Sequence, residues 1–388
     1  MLEDTNVALG VTGSIAAVTV VELAHELRRQ GASVRAVTTP SAQRIVHPWA
    51  LEFATGCEPV TEITGAVEHV DLCGREGWAD ALLIAPATAN TVGKIAAAVD
   101  DTPVTTCATT ALGADVPVVI APAMHEPMYD HPGVLDAIDR VESWGVDFVD
   151  PRLEEGKAKI ASEEAIVTAT ARATTPSTLT DRHVVVTSGA TTESIDPIRT
   201  LSNRASGRTG RAVARACYVR GAAVTLVHDG PDVPYADVRR VESATEMVDA
   251  VRTAVDGEGT PADALVSAAA IGDFTVETAP EKIRSGDPVT LELEPTPKLL
   301  DTIREARPDL TMIGFKAETS GDDDTMIERA RRLRDRVGLA FVVANDASVM
   351  GDDETRALFV HDGEVASYAG SKAGLGARVA AELAAELD

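Results

Sequence analysis

The chain has 388 residues, 45% hydrophobic but only 3% aromatic, with 61 acidic against 35 basic residues and a formal net charge of −26. That length points to two or three domains with cores of Ala, Val, Leu and Ile. The acidity argues against nucleic-acid binding, which needs a cationic surface. No apolar run reaches membrane-spanning length, and no basic-then-apolar stretch opens the chain. Cys57, Cys73, Cys107 and Cys217 lack CxxC spacing, so a cytoplasmic protein with reduced thiols and no membrane partner is expected. Lysine is scarce. A solvated, salt-adapted surface accounts for the acidity, and a local cluster of basic residues then stands out as a candidate anion site.

In chain order, the first apolar run, Val7–Val11, leads into GVTGSIAA (Gly10–Ala17) and a helical pattern over Val18–Gln30. Small residues between a strand and a helix let the backbone approach a phosphate at the helix N-terminus. The next strands are Val34–Thr38, Ala81–Ala85 and Val116–Ala121. APATANTVGKIA (Ala85–Ala96) and APAMHEPMYD (Ala121–Asp130) follow the last two, and VEHVDLCGREGWAD (Val67–Asp80) holds His69. Three polar loops at strand ends favour one shared site over three unrelated turns.

ARATTPSTLTDR (Ala171–Arg182) has neither period and reads as a linker, separating domains of about 1–175 and 181–388. Strands are expected at His183–Thr187, Ala223–His228, Ala264–Ala268, Thr311–Phe315 and Phe341–Ala344, with helical patterns at Arg208–Arg220 and Thr325–Arg336. Both halves open as strand, Gly-rich loop, helix, Gly-Ala, strand, with Gly31-Ala32 and Gly221-Ala222 as the matching dipeptides. Continuous apolar strands alternating with amphipathic helices predict an α/β protein: two Rossmann-like or flavodoxin-like domains, mostly parallel sheets with helices on both faces.

Taken in order, GVTGSIAA, HVDL, APATANTVGKIA and PAMHEPMY resemble the FMN-dependent phosphopantothenoylcysteine decarboxylase family over most of residues 5–165. The resemblance implies FMN held by Gly13, Ser14, Thr39, Ser41, Thr88 and Asn90. It also implies a catalytic His69 acting as base or orienting the substrate's acid end, and a trimeric building unit. This chain has His125 where the family commonly has the Asn of PAMN. In EEGKAKIAS (Glu154–Ser162) it lacks the cysteine of the family's substrate flap. Lys157 or Lys159 then takes over part of that role, or the last protonation differs.

TSGATTESIDPIRTLSNRASGRTG (Thr187–Gly210) resembles the long signature of phosphopantothenate–cysteine ligases. SAAAIGDF, APEKIRS, MIGFKAET and VANDAS follow in that family's order over residues 181–365. This resemblance implies CTP as activating nucleotide, contacted by Ser267, Ala268, Ala269 and Asp273. Lys282 would take its phosphates, and Pro297, Lys298, Leu299, Leu300 and Phe315 its base or sugar. Asn203 would stabilise an acyl-cytidylate, and Mg2+, with ligands left open, would offset phosphate charge together with Lys282. Arg199, Arg204, Arg208 and Arg211 surround the Gly-rich loop, and the face of Arg331, Arg332, Arg334 and Arg336 is a further candidate for triphosphate contacts.

The expected function is therefore bifunctional. The second half joins 4′-phosphopantothenate to cysteine, and the first decarboxylates the product to 4′-phosphopantetheine. The two resemblances imply a homo-oligomer, in which decarboxylase trimers and ligase dimers could combine into a dodecamer. The alternative is a ligase whose first half is only an FMN-binding or regulatory module.

Overall fold

A computed structural model describes residues 1–388 except 155–156, 258–259, 287, 319–321 and 347–353. Thr319 of MIGFKAET, Ala347 and Ser348 of VANDAS, and Glu155 and Gly156 of EEGKAKIAS lie outside the described residues. The chain forms two compact units, Met1–Pro176 and Ser177–Asp388.

The strands of the first unit are β1 (Asn6–Val11), β2 (Ser33–Thr38), β3 (Ala81–Ala87), β4 (Val118–Pro122), β5 (Met124–His125), β6 (Asp147–Phe148), β7 (Arg152–Glu154) and β8 (Lys157–Lys159). Five of them make a parallel sheet in the order β2-β1-β3-β4-β6, the strand order of flavodoxin-like folds. Every residue of β3 is buried, as a strand covered on both faces requires. One face packs Ala8, Leu82, Ile84 and Ile120 against Val92, Val104, Cys107 and Ile138 of three helices. The alternate residues Val7, Leu9, Leu83 and Val119 are buried on the other face, where the helix Glu163–Thr174 lies on β3 and β4. Each fully buried Leu or Ile contributes roughly 1.5–3 kcal/mol. A second, antiparallel sheet, β5-β8-β7, hangs from the end of β4.

The second unit contains β9 (His183–Thr187), β10 (Thr192–Ser194), β11 (Thr200–Ser202), β12 (Ala223–His228), β13 (Asp237–Arg240), β14 (Ala264–Ser267), β15 (Phe274–Val276), β16 (Leu293–Pro295), β17 (Thr311–Glu318), β18 (Phe341–Asp346), β19 (Glu354–Val360) and β20 (Val365–Ser371). Its eight-stranded sheet runs β13-β12-β9-β14-β17-β18-β19-β20. The first six strands are parallel, in Rossmann-like order, and β19–β20 adds an antiparallel hairpin. Val184, Val186, Ile313 and Val343 pack with Val213, Cys217, Val379 and Leu383 on one face. Val185, Leu265, Met312 and Val342 pack with Val251, Ile303 and Ala330 on the other. The matching dipeptides serve the same purpose in both units, since Gly31 and Gly221 each take φ +103° between helix and strand, where a side chain would be strained.

Three sequence expectations need correction. The helix expected over Val18–Gln30 starts at Val20, after a 3-10 turn over Ile15–Thr19. The expected linker is shorter, because the helix Glu163–Thr174 runs into it and buries Ala171. Thr170 and Thr174 there donate to the carbonyls of Ile166 (2.8 Å) and Thr170 (3.0 Å), so the hydroxyls join the helix instead of breaking it. The short pairs β10–β11 and β15–β16 and the hairpin β19–β20 were not expected.

Candidate active sites

In the first unit, three loops at the carboxyl ends of the parallel strands make a hydrogen-bonded rim. Buried Thr12 donates to the Pro86 carbonyl (2.7 Å) and accepts from the Thr88 amide (3.1 Å), stitching the end of β1 to that of β3. The Thr39 amide donates to Val11 (3.1 Å), and the Thr39 and Ser41 hydroxyls share a bond (3.0 Å). A side-chain carbon at Gly13 would lie 2.4 Å from Ser41 Oγ, so only glycine lets these two loops touch. Ser14 caps the 3-10 turn, accepting from Ala16. Thr88 caps the helix Ala89–Ala96, accepting from Thr91 (3.3 Å), with exposed Asn90 in its first turn. Gly13, Ser14, Thr39, Ser41 and Thr88 thus meet at one edge, where a helix N-terminus offers amide donors to an anion.

His69 stands on separate support, in the short helix Glu68–Cys73, which packs on the helix Pro103–Gly113. Val67 enters it in a left-handed conformation, φ +54°. Hydrogen bonds from Thr64 hold the neighbouring Glu68 carboxyl below its usual range. The His69 Nδ1 atom is buried without a hydrogen-bond partner. His125 is exposed on β5, directly opposite Lys157 of β8, while Lys159 binds Glu154 (3.1 Å).

In the second unit, one cleft of about 1060 Å³ gathers residues from motifs far apart in sequence. Its wall includes Asn203, Ser267, Ala268, Ala269, Asp273, Pro297, Lys298, Leu299, Leu300 and Phe315. Thr187 Oγ1 accepts the amides of both Ala268 and Ala269 (3.1 Å each), fixing that loop over the end of β9. Ser188 donates to the Gly207 carbonyl (2.8 Å). Gly207 takes φ +70°, and a side chain there would meet Ser188 Oγ and Arg211 Nη1 at 2.9 Å and the Gly189 amide at 3.0 Å. Asn203 Nδ2 donates to the Ala270 carbonyl (3.0 Å), and Lys298 pairs with Asp273 (2.5 Å). Among the described residues, six cationic side chains line the cleft (Arg204, Arg208, Lys298, Lys316, Arg336 and Lys372) against the carboxylates Asp273 and Asp301. In a chain of net charge −26 this local excess focuses a positive field on the cleft.

Lys282 is not among the residues lining this cleft. It is exposed, on a segment anchored by buried Asp196, which accepts from the amides of Ile198 and Arg199 (2.8 Å each) and Ile283 (3.1 Å). Burial raises the Asp196 pKa, but those amides and Arg199 outweigh it and leave the carboxyl below its ordinary value. Arg199 spans to the Ile283 carbonyl (2.9 Å), so it braces the segment instead of lining the cleft. The arginine face of the helix Asp323–Val337 is also corrected. Only Arg336 reaches the cleft, where it pairs with Asp301. Arg332 binds Glu328, and Arg334 binds Asp335 and Asp362. Sequence reasoning missed Lys316, Asn345, Thr355 and Lys372 as cleft residues. Lys372 carried no signal but the rarity of lysine in this chain, and Lys316 lay inside the MIGFKAET motif.

Two family models match the chain: "Flavoprotein" over residues 1–175 and "DNA/pantothenate metabolism flavoprotein C-terminal domain" over residues 179–387. The "Coenzyme A biosynthesis bifunctional protein CoaBC" of Thermococcus kodakarensis is 48% identical over 91% of this chain and 88% of its own. The protein of that name from Methanocaldococcus jannaschii is 36% identical over 98% and 93%. The one from Bacillus subtilis is 34% identical over 94% and 92%.

Proposed function

The chain belongs to the family of bifunctional coenzyme A biosynthesis proteins, and we propose that its two strand-end sites run consecutive steps, cysteine ligation in the second unit and decarboxylation in the first. The observation that carries the ligase reading is the convergence of Asn203, the Ser267–Asp273 loop, Pro297–Leu300 and Phe315 on one cationic cleft.

A carboxylate is a poor acyl donor at neutral pH. In the second unit, the carboxylate oxygen of 4′-phosphopantothenate attacks the α-phosphorus of CTP, and pyrophosphate leaves. The cysteine amine then attacks the acyl carbon, the C–O bond to CMP breaks, and the amine sheds a proton. Asn203, whose Nδ2 donates to the Ala270 carbonyl, would hold the acyl phosphate oxygens. The resemblance, not the cleft wall, carries the assignment of Lys282, exposed on the segment pinned at Asp196, as a cation for the phosphates. No group of three or more His, Cys, Asp or Glu side chains able to hold a metal is present among the described residues. Mg2+ would accompany the nucleotide, with phosphate oxygens among its ligands.

The first unit fits FMN on two counts. Gly13, where a side-chain carbon would lie 2.4 Å from Ser41 Oγ, lets the loops after β1 and β2 meet at the strand-end edge, and His69 holds a buried Nδ1 atom without a partner. Gly13, Ser14, Thr39, Ser41, Thr88 and Asn90 would hold the cofactor, whose two-electron chemistry gives the electrons left behind by departing CO2 somewhere to go. His69 would orient the substrate's acid end or hold a proton there. His125 and Lys157 present an imidazole and an ammonium from adjacent strands to the substrate's anionic groups.

Exposed Ile15, Trp49 and Phe53 on the first unit, and Ile198, Phe274 and Leu293 on the second, support the homo-oligomer reading. Two variants separate the two steps. His69→Ala should accumulate 4′-phosphopantothenoylcysteine. Asn203→Ala should make almost none, yet decarboxylate it when supplied. Full decarboxylation by His69→Ala would instead favour a first unit that binds flavin without using His69.

A further inference from the structure

We infer that Glu193, a buried carboxylate that the ligation chemistry leaves unused, is a positioning residue that holds Asp273 at its place in the wall of the second unit's cleft. This rests on the ligase reading of the cleft. Glu193 lies on β10 at 7% exposure. A carboxylate is tolerated there only with its oxygens occupied, and each has a different partner. Oε1 accepts from the Ala244 amide (2.8 Å), and Oε2 accepts from the Thr275 hydroxyl (2.8 Å). Ala244 is the first residue of the helix Ala244–Asp256. The Ser243 cap takes the Glu246 amide, and Glu193 takes another of the amides that a helix start leaves unpaired. Negative charge is favoured at that end. The helix belongs to the core, with Met247, Val248 and Val251 buried in one cluster with Val185 and Val227 of the sheet. Thr275 sits on β15, whose partner β16 is exposed along its whole length. Glu193 thus ties a strand at the surface to a helix packed on the core.

Asp273 comes immediately before β15 and lines the cleft. On its N-terminal side, the Gly272 amide donates to Thr191 (2.8 Å), and the Gly272 carbonyl accepts from the Thr296 hydroxyl. The Thr296 amide donates to the Asp273 carbonyl (3.1 Å). On its C-terminal side, Glu193 holds Thr275, and two further bonds follow in order. The Thr278 hydroxyl donates to the Ser194 carbonyl (2.8 Å), and the Ala279 amide to that of Ile195 (2.9 Å). Asp196 ends the row by taking the Ile283 amide. The stretch Glu193–Asp196 is therefore a rail along which Thr275–Ile283 is laid. Its contact closest in sequence to Asp273 is the Glu193 carboxylate.

The test uses the full chain with Glu193→Ala, Glu193→Gln, Thr275→Val and Asp273→Ala, thermal unfolding confirming the fold. CTP binding in the presence of Mg2+ is measured by calorimetry, and ligation at varied CTP, 4′-phosphopantothenate and cysteine. Glu193→Ala and Thr275→Val should each weaken CTP binding and raise its KM about tenfold, the scale of a lost hydrogen bond to a charged group. The KM values of the other two substrates should stay within about twofold of the wild type, a split that lost stability alone would not give. Glu193→Gln, whose amide can accept from Ala244 and donate to the Thr275 hydroxyl, should recover most of the loss. Because Glu193 acts through Asp273, adding Glu193→Ala to Asp273→Ala should cost little beyond Asp273→Ala alone. A Thr275→Val chain within about twofold of the wild type for CTP, or losses at Glu193 and Asp273 that multiply in full, would overturn the proposal. A wild-type chain that binds CTP but forms no ligation product would sink the ligase reading alone, and the CTP affinities would still decide the role of Glu193. A wild-type chain that binds no CTP would overturn both.

Discussion

His228 ends β12 at 1% exposure, and its Nε2 atom has no hydrogen-bond partner. Burial first, and the nearby Arg211 guanidinium second, hold its pKa below the ordinary 6.5, against the opposing pulls of the Pro231 carbonyl and Asp229. The unfolded chain therefore takes up this proton before the folded one. The contribution of His228 to stability is complete above about pH 6.5 and is lost as pH falls below it. We predict that the Tm falls between pH 7 and 5, and that His228→Gln flattens that slope. Identical slopes would show that the folded protein accommodates the imidazolium. Legibility at this scale followed the backbone. Asn203 and Asp273 sit in loops whose glycines and short polar residues announce close approach to a ligand, and both line the cleft. Lys316 and Lys372 were illegible because a single lysine in a strand or at a helix start resembles any solvated side chain. Lys282 was legible as a motif, while its position off the cleft depends on the Asp196 anchor, a tertiary contact.

Among the elements, the parallel strands were readable because burial on both faces leaves unbroken apolar runs such as Val184–Val186 and Ala81–Ala85. The short antiparallel pieces were not. Two or three residues carry no period, and β20, with alternate residues exposed, lacks the apolar signal. The antiparallel sheet β5-β8-β7 matters most here, because it turns a stretch read for its missing cysteine and its two lysines into a pair of strands beside His125. The alternative between Lys157 and Lys159 becomes a geometric question: Lys159 is held by Glu154, and Lys157 lies opposite His125. Lys157→Ala should slow decarboxylation of supplied 4′-phosphopantothenoylcysteine by roughly 100-fold, the usual scale for loss of a proton-transfer or charge-orienting group. Bound flavin should be unchanged, and Lys159→Ala should cost less than about threefold. Equal effects of the two variants would remove the special role of Lys157.

For the molecule as a whole, the two units have separate cores, Ile84 and Ile120 centring the first and Val186 and Ile313 the second. Calorimetry of the full chain should resolve two transitions. FMN should raise one and CTP the other, each by the linkage between binding and folding. A single transition raised by both ligands would contradict independent units. The central claim is that one chain performs ligation and then decarboxylation. Its most direct test supplies the full chain with FMN, Mg2+, CTP, 4′-phosphopantothenate and cysteine labelled at its carboxyl carbon, and follows products by mass. The account predicts CMP, pyrophosphate, unlabelled 4′-phosphopantetheine and labelled CO2. Recovery of 4′-phosphopantothenate unchanged, or of 4′-phosphopantothenoylcysteine that keeps its label, would contradict it.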